Sequence, residues 1–195
     1  MRIFLVVSPT ATTSPDFPLK GVAGRTGRLD VIARSIVSAF KVRDNYRRNV
    51  MFYALLLGPP NPPKLLIVDG RTLEKTPSSE REALLLIKKS LQGKELEGVR
   101  VENWGFKHVI KHFLRMTKNI YYLREDGKWF YEKVRPSKYN VFILGSHVDL
   151  PHEYETFLRD RKIPRVSLGR ISYLTSQCIT IIHWFLDELE SSLYT

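Results

Sequence analysis

The chain has 195 residues, of which 43% are hydrophobic and 26% charged, and this balance excludes a disordered polypeptide. A single cysteine, Cys178, excludes an internal disulfide framework, and no apolar run reaches the ~18 residues of a membrane span. Lys and Arg outnumber Asp and Glu by 31 to 20, and the net charge of +11 indicates a polyanionic partner.

The first half of the chain alternates apolar strands with helices. Residues 2–7 (RIFLVV) are continuously apolar after the first position, which is typical of a buried strand. Three prolines and two glycines mark residues 8–26 as a long loop, a length that favours a functional role. The elements predicted in this half are strands at Arg2–Val7, Asn49–Leu57 and Lys64–Val68, a helix at Arg28–Phe40, and a helix that Ser78 caps and that ends near Gln92.

The second half continues this alternation and closes with a helix. Asp126-Gly127 is typical of a tight hairpin, so Glu125–Lys128 is predicted to reverse the chain. Continuous apolar strands that alternate with helices predict an α/β fold with a mostly parallel sheet covered on both faces. The elements predicted here are helices at Gly105–Met116, Tyr154–Arg161 and Ser176–Leu189, and strands at Asn119–Leu123, Tyr139–Leu144 and Arg165–Leu168.

Nothing in the sequence divides the chain. It contains no internal repeat, low-complexity segment or domain-scale linker, so residues 1–195 are predicted to form one domain. The apolar N-terminal stretch is too short for a secretory signal, and no small-residue cleavage site follows it. We therefore expect a soluble, cytoplasmic protein.

The basic excess is concentrated in two stretches. Residues 1–50 hold 9 basic and 3 acidic side chains and residues 101–150 hold 9 and 5, whereas residues 151–195 hold 5 and 6. This distribution favours a nucleic-acid-binding surface, with a solvated or thermophile-like charged face as the alternative. Because the first stretch contains so few acids, an ion-pair network is not expected there. Predicted RNA contacts are Arg25, Arg28, Arg47 and Arg48 to phosphates, and Tyr46 or Trp104 to a base, with a place in the core as the alternative for these two aromatic residues.

Several standard chemistries are excluded because their motifs are missing. There is no GxxxxGK[ST], GxSxG or CxxC, and His108 and His112 lie in HVIKH, which lacks the glutamate of a zincin helix. No metal site is therefore expected. Two predicted strand ends carry glycine instead, at Gly145 and Gly169, which lets backbone approach a flat ligand such as adenine. Two ordinary β–α turns are the alternative interpretation.

Longer motifs resemble those of a known family. The segments GRLDVIARSIVSAF, RRNVMFYALLLGPPNPP, NIYYL, FILGSHVDLP and RVSLGRISYLTSQCITIIHWFLDEL are together similar to the archaeal TrmY family, SPOUT-class tRNA (pseudouridine-54) N1-methyltransferases. The resemblance runs from end to end. It implies a SPOUT-type α/β domain with a C-terminal trefoil knot, a homodimer, tRNA as substrate and S-adenosylmethionine (SAM) as methyl donor. Methylation of ribosomal RNA pseudouridine, or a non-catalytic RNA-binding or ribosome-assembly factor of the same fold, is the alternative.

The resemblance also implies which residues hold the cofactor. They are Leu123, Gly145, Leu168, Gly169, Arg170, Ile171, Ser172, Tyr173 and Cys178. Some relatives have an acid at the position of Ser146 and a proline at that of Arg170, and a cradle made by backbone groups survives both differences. The apolar residues around Cys178 by themselves predict a buried thiol that serves only to pack the core.

Methyl transfer to pseudouridine requires that the ring N1–H lose its proton. Asp30 of the GRLD motif is the candidate acceptor for this proton, with Arg28 nearby to hold the carboxylate ionised. A helix-opening acid that pairs with Arg28 or Arg34 for stability is the alternative. The closing helix is predicted to form a dimer interface through Ile179, Ile181, Ile182, Trp184 and Phe185.

Overall fold

A computed structural model of the chain describes residues 1–191, so the last four residues of the predicted 1–195 domain lie outside the described residues. The described residues form one seven-stranded sheet and a separate two-stranded hairpin, β2 (Lys41–Val42) with β3 (Asn45–Tyr46). The strands of the large sheet are β1 (Arg2–Ser8), β4 (Val50–Leu56), β5 (Lys64–Asp69), β6 (Val99–Glu102), β7 (Ile120–Trp129), β8 (Asn140–Gly145) and β9 (Arg165–Ser167).

The strand order of the large sheet is β6-β5-β4-β1-β8-β7-β9. Neighbours from β4 to β9 pair in parallel, whereas β5 runs antiparallel to both β4 and β6. The predicted α/β class with a mainly parallel sheet is confirmed. Because the parallel strands share one direction, their carboxyl ends form one edge of the sheet, which we call the carboxyl edge.

Helices cover both faces of the sheet. The side chains of Phe4 and Val6 in β1 lie in the core on one face, and those of Ile3, Leu5 and Val7 lie in the core on the other. Every residue of β1 is buried, as expected of a central strand covered on both sides. The helices are α1 (Leu29–Phe40), α2 (Glu80–Leu91), α3 (Phe106–Met116), α4 (Phe130–Lys133), α5 (His152–Asp160) and α6 (Thr175–Ser191).

Each helix packs in one of these two cores. Buried residues of α1, α2 and α6 belong to the core around Phe4, and those of α3 and α5 to the core around Leu5. Within residues 1–191, none of the helices combines the length and the hydropathy needed to span a bilayer.

The predicted hairpin at Glu125–Lys128 is wrong. Strand β7 continues through this segment, and both Leu123 and Lys128 register with Val166 of the parallel strand β9. Gly127 serves close packing and not chain reversal, since a Cβ there would lie 2.6 Å from the Val166 carbonyl carbon. Two further details differ from the prediction: Ser79 and not Ser78 caps α2, and β6 was missed.

Most apolar side chains of α6 pack against other residues of the same chain. Ile179 and Ile182 are fully buried and Phe185 is 5% exposed, so these three are not available for the predicted dimer interface. They face the sheet because they recur on one side of the helix, at three-residue spacing. Trp184 points away from that side and remains 55% exposed.

A polar network fastens α6 to the amino end of the sheet. The Arg2 guanidinium contacts Asp187 at 2.7 Å and Glu190 at 3.0 Å, and Arg47 contacts Asp187 at 2.5 Å. Arg2 also lies 3.0 Å from His183 Nδ1, which therefore accepts the hydrogen bond, and the opposite ring nitrogen donates to the Ala39 carbonyl at 3.0 Å. Burial, together with the charges of Arg47 and Arg2, lowers the pKa of His183 to about 3, so the ring is neutral.

Candidate active site

A pocket of about 570 Å³ opens at the carboxyl edge of the sheet. Its walls come from four separate parts of the chain: the start of α1, the middle of β7, the loop after β8, and the loop between β9 and α6. Ligand sites of open α/β sheets form where such strand ends and loops meet. The pocket has the place and the size of a small-molecule site.

The structure brings nearly all the predicted cofactor residues together in this pocket. Eight of them line it: Leu123, Gly145, Leu168, Gly169, Ile171, Ser172, Tyr173 and Cys178. Arg170 belongs to the same loop but is not one of the lining residues. Residues that are up to 55 positions apart in sequence therefore share one cavity, a proximity that depends on the parallel strands β7, β8 and β9.

The loop between β9 and α6 presents unpaired backbone groups. Gly169 adopts a φ of 121°, and its N–H donates to the Ser167 hydroxyl at 3.0 Å. Within residues 1–191, the backbone N–H groups of Ile171 and Tyr173 make no hydrogen bond. Since unpaired backbone donors beside a cavity call for a ligand or water, the loop fits the polar edge of a purine.

Glu125, Ser172 and Cys178 line one part of the pocket and lie close to one another. The Ser172 hydroxyl donates to the Glu125 carboxylate at 2.9 Å. Burial and the charge of Glu125 raise the pKa of the Cys178 thiol to about 11, so the thiol is protonated at neutral pH. Cys178 is half-buried and faces the cavity, and its protonated state argues against a nucleophilic role.

Two arginines on α1 and its N-terminal flank face the pocket and share one carboxylate. The Asp30 carboxylate accepts two hydrogen bonds of 3.0 Å from Arg28 and one of 2.9 Å from Arg34. Burial favours the neutral acid, but the hydrogen bonds and charges of Arg28 and Arg34 outweigh it and lower the pKa of Asp30 below its ordinary value. Arg28 and Arg34 line the pocket, whereas the Asp30 side chain is 6% exposed and does not.

Local backbone geometry sets this arrangement. Arg28 precedes the first turn of α1 in the left-handed region, with φ 73°, and this turns its side chain back onto Asp30. The preceding Gly27 has φ 59°, and a Cβ there would collide with the Thr10 carbonyl of the long loop. The loop is fastened in turn to the turn after β4, because the Thr12 hydroxyl donates to the Pro59 carbonyl at 2.8 Å.

Sequence reasoning missed Arg124, which also lines the pocket. Its guanidinium contacts the Asp149 carboxylate at 2.5 Å and that of Glu155 at 3.6 Å, so it holds the loop after β8 against β7. Tyr122 donates to the same Glu155 at 2.7 Å. No local pattern could have found this network, because its members are on three separate elements.

The predicted RNA contacts lie in different places. Arg25 is exposed and lies three residues before Arg28, which lines the pocket. Arg47 and Arg48 precede β4 and therefore lie at the opposite edge of the sheet, where Arg47 is paired with Asp187. Arg48 lies over the Tyr46 ring at 4.4 Å and contacts the Tyr46 hydroxyl. Trp104, at the carboxyl edge, is stacked on His108.

A family model described as "Putative SAM-dependent RNA methyltransferase" matches residues 1–191. The chain belongs to this family. Its methyl donor is accordingly SAM, as the family resemblance implied. The unpaired backbone groups and the pocket volume described above fit a molecule of the size of SAM. Within residues 1–191, no group of three or more potential metal ligands occurs.

Curated relatives match over almost the whole chain. The tRNA (pseudouridine(54)-N(1))-methyltransferase of Thermococcus gammatolerans is 39% identical over 97% of this chain and 98% of its own length. The enzyme of the same name from Methanocaldococcus jannaschii is 37% identical over 96% and 97%. The predicted membership of this archaeal family is confirmed.

Solved structures support the fold. The chain superposes on Archaeoglobus fulgidus Nep1, crystallised with S-adenosylhomocysteine, with a TM-score of 0.65 and 14% identity, covering 96% of this chain and 98% of that one. A probable rRNA-methyltransferase from Porphyromonas gingivalis gives a TM-score of 0.51 at 12% identity and covers 98% of this chain and 69% of that one. At these identities the likeness concerns the fold alone.

Proposed function

We propose that the protein transfers the methyl group of SAM to N1 of pseudouridine 54 in the T loop of tRNA. One observation carries this proposal: a chain that matches an enzyme of that name over 97% of its length gathers eight of the nine implied cofactor residues into one pocket. Arg28 and Arg34, both in the GRLDVIARSIVSAF segment, face the same pocket. The proposed site of action is the cytoplasm.

The cofactor would be held mainly by backbone groups. Unpaired N–H groups of Ile171 and Tyr173 suit the edge of an adenine, and the side chains of Leu123, Leu168 and Cys178 suit its faces. When bound, SAM supplies an electrophilic methyl group on a positively charged sulfur. The nearby carboxylate of Glu125 is a hydrogen-bond acceptor for ribose hydroxyls.

The arginines would act on the target base. N1–H releases its proton to solvent water, the resulting negative charge spreads to the ring carbonyl oxygens, and a fixed guanidinium beside them stabilises that charge until N1 takes the methyl group. Arg28 is 39% exposed and lines the pocket, so it can reach the ring. Both oxygens of Asp30 are already bonded to arginine, and its pKa is lowered. Asp30 is therefore proposed as a positioning residue for Arg28 and not as the base.

This mechanism requires pseudouridine. In uridine the ribose is attached at N1, so that nitrogen has no proton to lose and cannot accept a methyl group without a permanent positive charge. Pseudouridine carries its ribose on carbon and leaves N1–H free. Alignment of N1 with the methyl carbon is then the main task of the pocket.

The proposal includes a trefoil knot and a homodimer. In support of the knot, β9 follows β8 in sequence but pairs with the far side of β7, so the chain crosses β7 between β8 and β9. In support of the dimer, apolar side chains remain exposed around the pocket loop and α6: Ile171 at 66%, Leu174 at 61% and Trp184 at 55%. Such a group suits a self-complementary interface. Light scattering is expected to give twice the chain mass, and Trp184→Asp to shift it to the monomer mass.

Mass spectrometry of nucleosides tests the activity. The protein is incubated with SAM and tRNA that carries or lacks pseudouridine at position 54, and with ribosomal RNA fragments that contain pseudouridine. We expect N1-methylpseudouridine only in the pseudouridylated tRNA. Equal methylation of the unmodified tRNA would exclude the N1 mechanism. Product in ribosomal RNA alone would favour the alternative substrate, and no product despite saturable SAM binding would favour an RNA-binding factor.

A further inference from the structure

Helix α3 presents a continuous basic surface on the face of the sheet opposite α1. The helix contains five basic or imidazole side chains and no acid: Lys107, His108, Lys111, His112 and Arg115. Lys107, Lys111 and Arg115 recur every four residues and so lie in one row along the helix, and all three are exposed. The opposite side of α3, which includes Phe106, packs in the core.

The row has no acidic partner. Within residues 1–191, no carboxylate lies within 4.0 Å of the charged groups of Lys107, Lys111 or Arg115, although ion pairs are frequent elsewhere in the fold. Like charges four residues apart on a helix repel one another. An unneutralised row is thus a cost to the folded chain that a bound polyanion would offset.

An aromatic stack stands at the head of this row. The rings of Trp104 and His108 are parallel, with an interplanar angle of 7° and centroids 4.3 Å apart, and His112 lies 5.4 Å from Trp104. Trp104 is anchored against the core, whereas His108 is exposed. A nucleobase can extend such a stack, because exposed aromatic and imidazole rings are the usual platforms for unpaired bases.

The stack and the pocket share one edge of the sheet. Leu65 at the start of β5 registers with Glu102 at the end of β6, which puts the adjoining Trp104 at the carboxyl edge. Four strand spacings separate β6 from β8, so the stack lies about 19 Å from the pocket along that edge. A folded RNA that places one nucleotide in the pocket is wide enough to reach it.

We propose that the α3 surface, defined by Trp104, Lys107, His108, Lys111 and Arg115, binds the substrate tRNA at nucleotides outside the pocket. The row of positive charges contacts phosphates, and an unpaired base stacks on His108. This inference rests on the proposed function for the identity of the RNA. It adds a second contact region, remote from the arginines of the first 50 residues.

The test uses the whole chain, full-length pseudouridylated tRNA and a binding titration at several salt concentrations. Lys107→Gln, Lys111→Gln and Arg115→Gln are combined in one variant, and Lys75→Gln, Arg81→Gln and Lys94→Gln in a control with the same charge change on the opposite face. We expect the α3 variant to lower the slope of log affinity against log salt by about 2 to 3, since each lost phosphate contact contributes ~0.7–0.9. The control is expected to keep the slope within about 1.

The stacking contact is tested separately. His108→Ala is expected to weaken tRNA binding by about 5- to 100-fold, in line with stacking platforms elsewhere, whereas His108→Phe keeps the affinity near that of the unaltered chain. Calorimetry with SAM alone is expected to give the same dissociation constant for all these variants, because none of the substituted residues lines the pocket.

The outcomes separate this inference from the proposed function. Suppose that the unaltered chain methylates tRNA, but the slope of log affinity against log salt is the same for the α3 variant and for the unaltered chain. The proposal that α3 binds tRNA is then wrong, and the proposed function stands. If no methylation occurs but the α3 variant still loses salt-dependent tRNA binding, the surface stands and the function is overturned. A loss of slope that is equal in the α3 and control variants also overturns the surface, since it shows only a general effect of charge.

Discussion

The basic residues of the first 50 positions and those of α3 are similarly prominent in sequence, but they differ in their partners. Arg28 and Arg34 share the carboxylate of Asp30, and Arg47 pairs with Asp187, 140 positions away. The lysines and arginine of the α3 row have no carboxylate within 4.0 Å in the part of the chain that the structure describes. Arg28, Arg34 and Arg47 are therefore held by carboxylates of the protein itself, whereas the α3 row keeps its charge available for a partner.

Removal of Arg28 is the strongest test of this comparison. If Arg28 is a fixed cation beside the reacting base, Arg28→Ala is expected to lower kcat by about 10²- to 10³-fold, as loss of a preorganised donor does in other enzymes. Single-turnover methylation measures the effect, and calorimetry is expected to show a SAM affinity within a few-fold of the original. Arg43→Ala is the control, since its pair with Asp44 is 92% exposed. A full rate for Arg28→Ala would leave the pair with Asp30 a purely structural contact.

Asp30→Asn distinguishes positioning from proton transfer. If Asp30 were the general base, its replacement would remove the acidic limb of the pH–rate profile. Replacement of a positioning residue instead lowers the rate and leaves that limb in place. We also expect Asp30→Asn to add little to Arg28→Ala, since both act through one guanidinium. Additive losses would point to independent roles.

The second test concerns the ion pairs that Asp187 makes with Arg2 and Arg47 at the amino end of the sheet. Asp187→Ala leaves the nearly buried Arg2 and the paired Arg47 without their shared carboxylate, and we expect a loss of about 2 kcal/mol in the free energy of unfolding. Urea titration measures it. A loss under about 0.5 kcal/mol would mean that Arg2 and Arg47 depend on a carboxylate no more than the charged side chains of the α3 row do.

A third, pH-dependent test involves His183 in the same network. The folded pKa of His183, about 3, lies below its ordinary value of 6.5, so the unfolded chain binds the extra proton. Stability is therefore complete above about pH 6.5 and falls on acidification, by up to about 1.4 kcal/mol per pH unit for one proton. Chemical denaturation between pH 4.5 and 7 is expected to show this slope, and His183→Gln to reduce it. An unchanged slope in the variant would assign the proton to another group.

The smallest effect is expected on α3. Lys111→Gln removes a charge that has only like-charged neighbours in its row, so the free energy of unfolding is expected to change by less than about 0.5 kcal/mol, or to rise slightly. The same urea titration used for Asp187→Ala measures it. A loss above about 1 kcal/mol would show that Lys111 has a structural partner and would remove the contrast between the two regions.

Regular elements were predictable where the local pattern was strong. The continuous apolar runs of β1, β4 and β8 predicted buried strands because parallel strands are covered on both faces. Strand β6 was missed because VRVE is short and only partly buried. The Asp126-Gly127 signal misled because a glycine that permits a turn also permits close packing of two backbones, as at Val166.

The sequence by itself determined the α/β class from local patterns, and its motifs determined the family, whose resemblance implied eight of the residues that line the pocket. Only the tertiary structure decided which charges are free. Electrostatic pairing depends on distance in space, and a carboxylate 140 positions away can lie within 3 Å of an arginine. The scarcity of acids near Arg47 in sequence therefore suggested a free charge, whereas the docking of α6 supplied Asp187.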